Sequence, residues 1–251
     1  EDNPDYVDCP KEETSAIIKQ IIDLFKTYLY PPSWVMDNID LVLVDYQDTG
    51  SRYTTYTATL SKVFESASDF EVPIFIVDRP NPIRGDLISG PIPRLEFQSF
   101  ESYHLFPIRH GLTIGEMALI INEMGWIKDL KRIQLNIIPM ANWEREMWFE
   151  DTQLPWKNLT PYLESPLSLL AYSGMNLFRG TNLNIGFGTG APYMIFGSPW
   201  LSTSYLLRKL KEQNLPGVTF KEIEYRPIGS TYYKRVPKFD NLKCSGLELI
   251  I

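Results

Sequence analysis

The sequence predicts an α/β protein built on a parallel sheet flanked by helices. Two apolar runs, residues 41–44 and 73–77, are each followed directly by an aspartate, Asp45 and Asp78. Each run is followed by a polar loop and then by apolar residues at helical spacing. Repeated strand–loop–helix units of this kind imply parallel strands joined by right-handed crossovers.

Composition excludes several classes of protein. The 251 residues carry a net charge of −7 with scattered basic residues, which argues against a nucleic-acid binder held by phosphate contacts. No apolar run approaches the roughly 18–20 residues of a membrane span. Two Cys and two His are too few for a Cys/His metal site, while a disulfide between Cys9 and Cys244 stays open.

The first half of the chain alternates helical and strand patterns. An apolar stripe predicts a helix over residues 14–28, which Pro31 and Pro32 end. Residues 41–44 lack alternation, which favours a strand covered on both faces. Apolar residues from Tyr53 to Ala67 recur at helical spacing, and 73–77 reads as a second buried strand.

The second half predicts further elements. Thr113 and Glu116 have the spacing of a capping box, so Glu116 is expected to close a helix end first and to serve a site second. Strands are predicted at 133–137, 218–225 and 244–251, and helices at 165–170 and 206–214. Because the chain stops inside an apolar run, we expect a C-terminal truncation.

Polar side chains gather where the first two strands end. Because the carboxyl ends of parallel strands meet at one edge of a sheet, we expect these residues to line one cleft. The alternative is that Asp48 and Arg52 only pair with each other and cap the helix. The cluster comprises Asp45, Gln47, Asp48, Arg52, Asp78 and Asn81.

Residues 180–190 form the segment richest in glycine. A phosphate loop is rejected because Ala191-Pro192 follows in place of a helix and no G-K-[ST] is present. A compact polar loop serving the same cleft is the preferred interpretation. A nucleotide-dependent enzyme is a weaker hypothesis, because neither GxGxxG nor a phosphate loop occurs, and no cofactor is predicted.

An ordered set of motifs resembles the domain-of-unknown-function 1343 family, which includes the exo-β-N-acetylmuramidases of bacterial cell-wall recycling. The resemblance spans roughly residues 27–250. The motifs are Asp45-x-Gln47-Asp48-x-Gly50-x-Arg52-Tyr53-x-x-Tyr56, Asp78-Arg79-Pro80-Asn81-Pro82, Gly90-Pro91, His110-Gly111-x-Thr113-x-Gly115-Glu116, Trp143-x-Arg145, Leu154-Pro155-Trp156 and Gly180-Thr181-Asn182.

This resemblance implies a fold and an activity. The expected fold is a Rossmann-like domain over residues 1–200, followed by the start of a smaller α/β domain over 201–251. The expected activity is exo-acting release of N-acetylmuramic acid from the non-reducing end of peptidoglycan fragments. Peptidoglycan fragments or muropeptides are then the partners, and an extracytoplasmic location, periplasmic or secreted, is expected.

The sequence also departs from the family pattern. The family's Ser-Pro-Glu-His-Gly segment, whose Glu is the suspected catalytic acid, does not occur in these 251 residues. Arg179 stands where the family tends to have Glu, and Phe187 where it tends to have Arg. The chain is therefore expected to be a fragment or a divergent member that is inactive in this form. A non-catalytic muropeptide-binding or scaffold protein is the alternative.

Roles for single residues follow from this resemblance and from side-chain chemistry. Arg52 and Arg145 suit the lactyl carboxylate of muramic acid, because a guanidinium binds a carboxylate through two hydrogen bonds. Trp143 and Trp156 are expected either to stack on a sugar or to belong to the core. The catalytic candidates are Asp45, Asp78 and His110. The substrate-binding candidates are Gln47, Asp48, Arg52, Tyr56, Asn81, Arg145, Thr181 and Asn182.

Overall fold

The computed structural model describes residues 22–24, 28–229 and 236–251. The chain divides into two compact units, and the division falls between Leu154 and Pro155. We call Asp8–Leu154 the N-terminal unit and Pro155–Ile251 the C-terminal unit. This division lies earlier in the chain than the domain boundary expected at residue 200. The predicted helix over residues 14–28 lies mostly outside the described residues.

The N-terminal unit is an α/β structure around a parallel sheet, as the sequence predicted. The sheet order is β1-β2-β3, and both strand pairs are parallel. The strands are β1 (Val42–Val44), β2 (Ile74–Val77) and β3 (Leu135–Ile138). The helices are α1 (Ser33–Met36), α2 (Tyr56–Asp69) and α3 (Ile114–Glu123).

The core of this unit forms where α2 and α3 bury their apolar faces. Leu60 and Phe64 lie one turn apart on α2, and Met117 and Ile121 have the same spacing on α3. All four side chains pack in one cluster with Ile74 and Ile76 of β2. Burial of each side chain of this size contributes about 1.5–3 kcal/mol, so this cluster holds the sheet and its helices together.

Strand β1 corrects one prediction. The apolar run at 41–44 was expected to be covered on both faces, but Leu43 is 59% exposed and Leu41 is 49% exposed. The reason is position, because β1 pairs with β2 alone and forms one edge of the described sheet. Helix α2 also begins at Tyr56, later than the predicted stripe from Tyr53, because residues 51–55 form a bridge and turns.

The C-terminal unit contains a small antiparallel sheet with strand order β4-β6-β5. Its strands are β4 (Ile195–Ser198), β5 (Thr219–Tyr225) and β6 (Cys244–Ile250), and its helices are α4 (Pro166–Met175) and α5 (Thr203–Glu212). Strands β5 and β6 were predicted within a residue, whereas β4 was not predicted. Gly197 and Gly246 face each other across β4 and β6, where a Cβ on either would meet backbone within 2.4 Å.

Two further features concern the described residues as a whole. The glycine-rich segment 180–190 forms turns and is not followed by a helix, in agreement with the loop prediction. Across the described ranges, no helix is both long and apolar enough to cross a membrane.

Candidate functional site

The N-terminal unit carries a cleft of about 570 Å³ at the carboxyl ends of β2 and β3. Ligand sites in open parallel sheets occur at this edge, and this volume lies within the range of roughly 300–1,000 Å³ that small-molecule sites occupy. The lining residues fall into two groups, one after each strand. They are Val77, Asp78, Arg79 and Pro80, and then Met140, Ala141, Asn142, Trp143, Asp151, Thr152, Gln153 and Leu154.

Asp78 is the half-buried carboxylate of this cleft. Its Oδ1 accepts hydrogen bonds from the main-chain N–H groups of Gly115 (2.8 Å) and Arg79 (3.0 Å), and its Oδ2 accepts one from Thr113 Oγ1 (2.8 Å). Burial raises the pKa of Asp78, and these three donors oppose that rise in part. A carboxyl with a raised pKa in a cleft has the property that a general acid needs.

Glycine at position 115 makes the contact to Asp78 possible. A Cβ at this position would lie 2.8 Å from Cγ of Asp78 and 2.9 Å from Ile137 on β3. The start of α3 can therefore approach the ends of β2 and β3 closely enough for the Gly115 N–H to reach the carboxylate. This explains why the His110–Glu116 motif has a glycine just before its glutamate.

Arg145 joins three segments beside the cleft. It donates to Oε1 of Glu116 (2.5 Å) and to the main-chain oxygens of Gly85 (2.6 Å) and Gly111 (2.7 Å). Glu116 in turn accepts from the Thr113 N–H, which completes the predicted capping box of α3. The structure thus places the Arg145 guanidinium on protein acceptors, whereas the sequence suggested the lactyl carboxylate of a ligand.

Asp48 and His110 lie inside the loops that follow β1 and precede α3. Oδ2 of Asp48 accepts from the Gly50 N–H at 2.7 Å and lies 3.2 Å from Nε2 of His110. Nδ1 of His110 accepts from the Leu112 N–H, so the ring proton resides on Nε2, the nitrogen nearest Asp48. Both side chains are buried and neither lines the cleft, so this pair stabilises loop structure.

Asn81 and Gly50 fix the same loops. The Asn81 side chain donates to the Leu112 oxygen at 3.0 Å and accepts from the Ile83 N–H at 3.1 Å. Gly50 has a φ of +76°, and a Cβ there would lie 2.5 Å from Oδ1 of Asn81. Asn81 is 2% exposed, so it is placed to hold backbone, and a ligand could not reach it without rearrangement.

The remaining predicted residues of this unit occupy two places. Asp45 pairs with Arg79 at 2.6 Å, and Gln47 donates to the Pro80 oxygen at 2.7 Å, so both contact the segment that enters the cleft. Arg52 donates to the main-chain oxygens of Pro91 and Phe106, away from the cleft lining, and burial lowers its pKa. Tyr56 accepts a hydrogen bond from Tyr46 through its main-chain oxygen. The structure therefore brings only Asp78 of the predicted cluster into the cleft wall.

Thr181 and Asn182 belong to the C-terminal unit, where both are exposed. Oγ1 of Thr181 donates to the Phe178 oxygen and accepts from the Leu183 N–H, which closes a turn. A small cavity of about 160 Å³ lies near this turn, between Tyr162, Phe187 and Lys238. We regard the cleft at the ends of β2 and β3 as the candidate site in preference to this cavity, because 160 Å³ falls short of the usual volume of a ligand site.

Sequence reasoning did not single out several cleft residues. Asp151 accepts from the Trp148 N–H at 2.8 Å and lines the cleft, but its sequence context gives no strand-end signal. Arg79 was noted only as part of a motif, although it directly follows the aspartate that ends β2. Among the described side chains, no group of three or more His, Cys, Asp or Glu is arranged to hold a metal ion.

Comparisons with known proteins agree with the motifs. A family model described as "Exo-beta-N-acetylmuramidase NamZ, N-terminal" matches residues 4–166, and its C-terminal counterpart matches residues 170–251. The chain is 34% identical over 221 residues to the peptidoglycan β-N-acetylmuramidase NamZ of Bacillus subtilis, with 88% of this chain and 51% of that protein covered.

Two crystal structures of DUF1343 family proteins from Bacteroides fragilis have the same fold. The first has a TM-score of 0.83 at 28% identity, and the match covers 91% of this chain and 57% of that protein. The second has a TM-score of 0.70 at 27% identity, and the match covers 87% of this chain and 55% of that protein. The chain therefore spans about half the length of the relatives that it matches.

Proposed function

From the premise that this chain belongs to the NamZ family of peptidoglycan glycoside hydrolases, also known as DUF1343, we propose that the protein releases N-acetylmuramic acid from the non-reducing end of cell-wall fragments. The observation that carries the proposal is the cleft at the ends of β2 and β3, together with the family match over both units. The proposal is supported by the volume of this cleft, by the aromatic side chain of Trp143 in its lining and by the half-buried carboxyl of Asp78.

The cleft contains two carboxyl groups, those of Asp78 and Asp151. Glycoside hydrolysis normally uses an acid that protonates the leaving oxygen and a second carboxylate, or a substrate acetamido group, on the other side. Asp78 is the better acid of the two because burial raises its pKa. The Thr113 hydroxyl that donates to it can rotate and accept instead, so Asp78 can hold a proton without losing that partner.

The test is release of nitrophenol from 4-nitrophenyl β-N-acetylmuramide by the 251-residue chain. We expect slow release that Asp78→Asn reduces by about 10²-fold or more, because general acid catalysis contributes about 10²–10⁴-fold. Asp69→Asn is the matched control, since Asp69 is an exposed partner of Lys131 and lies outside the cleft lining. Equal rates in the chain and in Asp78→Asn would remove Asp78 from catalysis.

A non-catalytic muropeptide-binding protein is the second candidate function. The observation that favours it is that both oxygens of Asp78 already accept hydrogen bonds, so protonation must displace an existing arrangement. Calorimetry with N-acetylmuramic acid separates the two functions. Binding without release of nitrophenol supports the second function, and the absence of both overturns both.

The expected location of the protein is outside the cytoplasm, where peptidoglycan lies. The support for this proposal is the substrate of the family alone. Fractionation of the source cells, with this chain detected by antibody, tests it, and recovery only with cytoplasmic markers would contradict it.

A further inference from the structure

Arg79 is the one cationic side chain among the described residues that line the cleft. It follows Asp78 at the end of β2, and its side chain is 38% exposed. The two carboxyl groups of the cleft are turned towards main-chain or hydroxyl donors, since Asp78 faces the start of α3 and Asp151 accepts from the Trp148 N–H. Arg79 is therefore the group in this wall with which a negatively charged ligand can pair.

The guanidinium of Arg79 is only partly used by the protein. Its Nε and Nη2 both lie 2.6 Å from a single oxygen of Asp45, the residue that follows β1. Its Nη1 contacts no acceptor in the described part of the chain. A guanidinium presents five N–H donors in a planar fork, so Asp45 occupies one edge and leaves donors for a second carboxylate.

Other arginines of the N-terminal unit are differently placed. Arg145 and Arg52 donate to main-chain oxygens, as described above. Arg84 pairs with Asp86 through two hydrogen bonds. None of these three lines the cleft. The arginine in the cleft wall is thus a different one from the two that the sequence suggested.

We propose that Arg79 recognises the lactyl carboxylate of N-acetylmuramic acid and so distinguishes this sugar from N-acetylglucosamine. The inference rests on the proposed function, because it assumes a muramic acid ligand in the cleft. The two sugars differ by the lactyl ether with its carboxylate, and a guanidinium is the side chain that best matches a carboxylate.

The test is calorimetric titration of the 251-residue chain with N-acetylmuramic acid, its lactyl methyl ester and N-acetylglucosamine. The unsubstituted chain is expected to prefer the free acid over the other two. Arg79→Gln is expected to weaken binding of the free acid by about tenfold or more and to change binding of the neutral sugars less than twofold. Arg94→Gln is the matched control, because Arg94 is an exposed partner of Glu96 outside this cleft.

A second variant, Asp45→Asn, distinguishes the loss of a specific contact from general damage to the site. Removing this carboxylate leaves the positive charge of Arg79 uncompensated, so affinity for the free acid should rise, whereas damage to the site would lower it. An unchanged preference in Arg79→Gln, or an equal loss for all three sugars, overturns the inference and leaves the proposed function standing. Failure of the unsubstituted chain to bind any of the three overturns both.

Discussion

Single side chains hold the loops around the cleft by binding main-chain oxygens. Arg145 is the clearest case, since it contacts two separate loops and the acidic cap of α3 at once. Charged hydrogen bonds of this kind contribute about 1.5–3 kcal/mol each when buried, but Arg145 is 43% exposed and solvent screens part of this.

We predict that Arg145→Met lowers the free energy of unfolding by about 1–2 kcal/mol, after discount for exposure. The reason is that Glu116 and the main-chain oxygens of Gly85 and Gly111 all lose the guanidinium that donates to them. Urea denaturation measures the loss, and Arg132→Met is the control, because Arg132 pairs with Glu123 on the exposed surface. Equal losses in the two variants would show that Arg145 does not hold the loops together.

His104 predicts a pH dependence of stability. Burial lowers its pKa to about 4, and its Nε2 lies 2.6 Å from Oγ of Ser61. The unfolded chain binds a proton near the ordinary value of 6.5, so the folded state loses stability as pH falls from 6.5 towards 4. Between pH 6.5 and 5 the loss is about 1.5 kcal/mol, because the full slope of about 1.4 kcal/mol per pH unit applies only well below pH 6.5.

The variant His104→Phe should remove this part of the acid sensitivity. Ser61 keeps its hydrogen bond to the Thr57 oxygen, and a phenyl ring can keep the stacking on Trp126, so the fold tolerates the change. Guanidinium denaturation at pH 6.5 and pH 5 of both proteins gives the difference. If the two proteins lose the same stability over this interval, another group carries the acid sensitivity.

The residue that caps the start of helix α3, Thr113, also contacts the carboxylate of the cleft, Asp78. Oγ1 of Thr113 accepts from the Glu116 N–H at 3.2 Å and donates to Asp78 at 2.8 Å. Helix α4 begins with a comparable cap, in which Oγ of Ser165 accepts from the Ser168 N–H and Pro166 takes the first helical position. The two helices therefore offer a matched pair, one cap that touches the site and one that does not.

We predict that Thr113→Val costs about 2 kcal/mol at pH 7, and that Ser165→Ala costs about 1 kcal/mol. The hydroxyl of Thr113 lowers the pKa of Asp78, so its removal raises that pKa further. A raised folded-state pKa means stability that is present at low pH and lost as pH rises. The cost of Thr113→Val should therefore be larger at pH 7 than at pH 4, while that of Ser165→Ala stays constant. Denaturation at both pH values decides this.

The motifs of the family are divided between the two compact units. Asp45, Asp78 and Arg145 belong to the N-terminal unit, whereas Thr181 and Asn182 belong to the C-terminal unit. The chain spans about half the length of the Bacillus subtilis relative. Because of this difference in length, the activity of the 251-residue chain is best compared with that of the full-length relative under identical conditions.

We predict that the 251-residue chain binds N-acetylmuramic acid but hydrolyses the chromogenic muramide at least about 10²-fold more slowly than the Bacillus subtilis relative. The reason is that the N–H groups of Gly115 and Arg79 can only donate, so they favour the ionised form of Asp78 and oppose the rise in pKa that burial causes; an acid held back in this way contributes less to catalysis. Comparable rates for the two proteins would show that Asp78 is readily protonated in the cleft.

Sequence patterns by themselves determined the parallel sheet, the helices that flank it and the capping box of α3. These features depend on local periodicity and on spacing within one segment, which the order of residues records directly. The motifs likewise determined the family, because their order along the chain is specific. The Rossmann-like classification and the roles of single residues stay predictions.

Only the tertiary structure decided which polar residues face a cleft. Asn81 falls in the same motif as Asp78, and Asp48 and His110 belong to two other motifs of the set, yet all three point into the loops and bind backbone. Arg52 and Arg145 have the charge to bind a ligand, but carbonyl oxygens from distant segments take their donors. A buried main-chain oxygen must find a donor, and which side chain supplies it depends on contacts between segments far apart in the sequence. For that reason Arg79 emerged as the cation of the cleft only when the strands and loops were seen together.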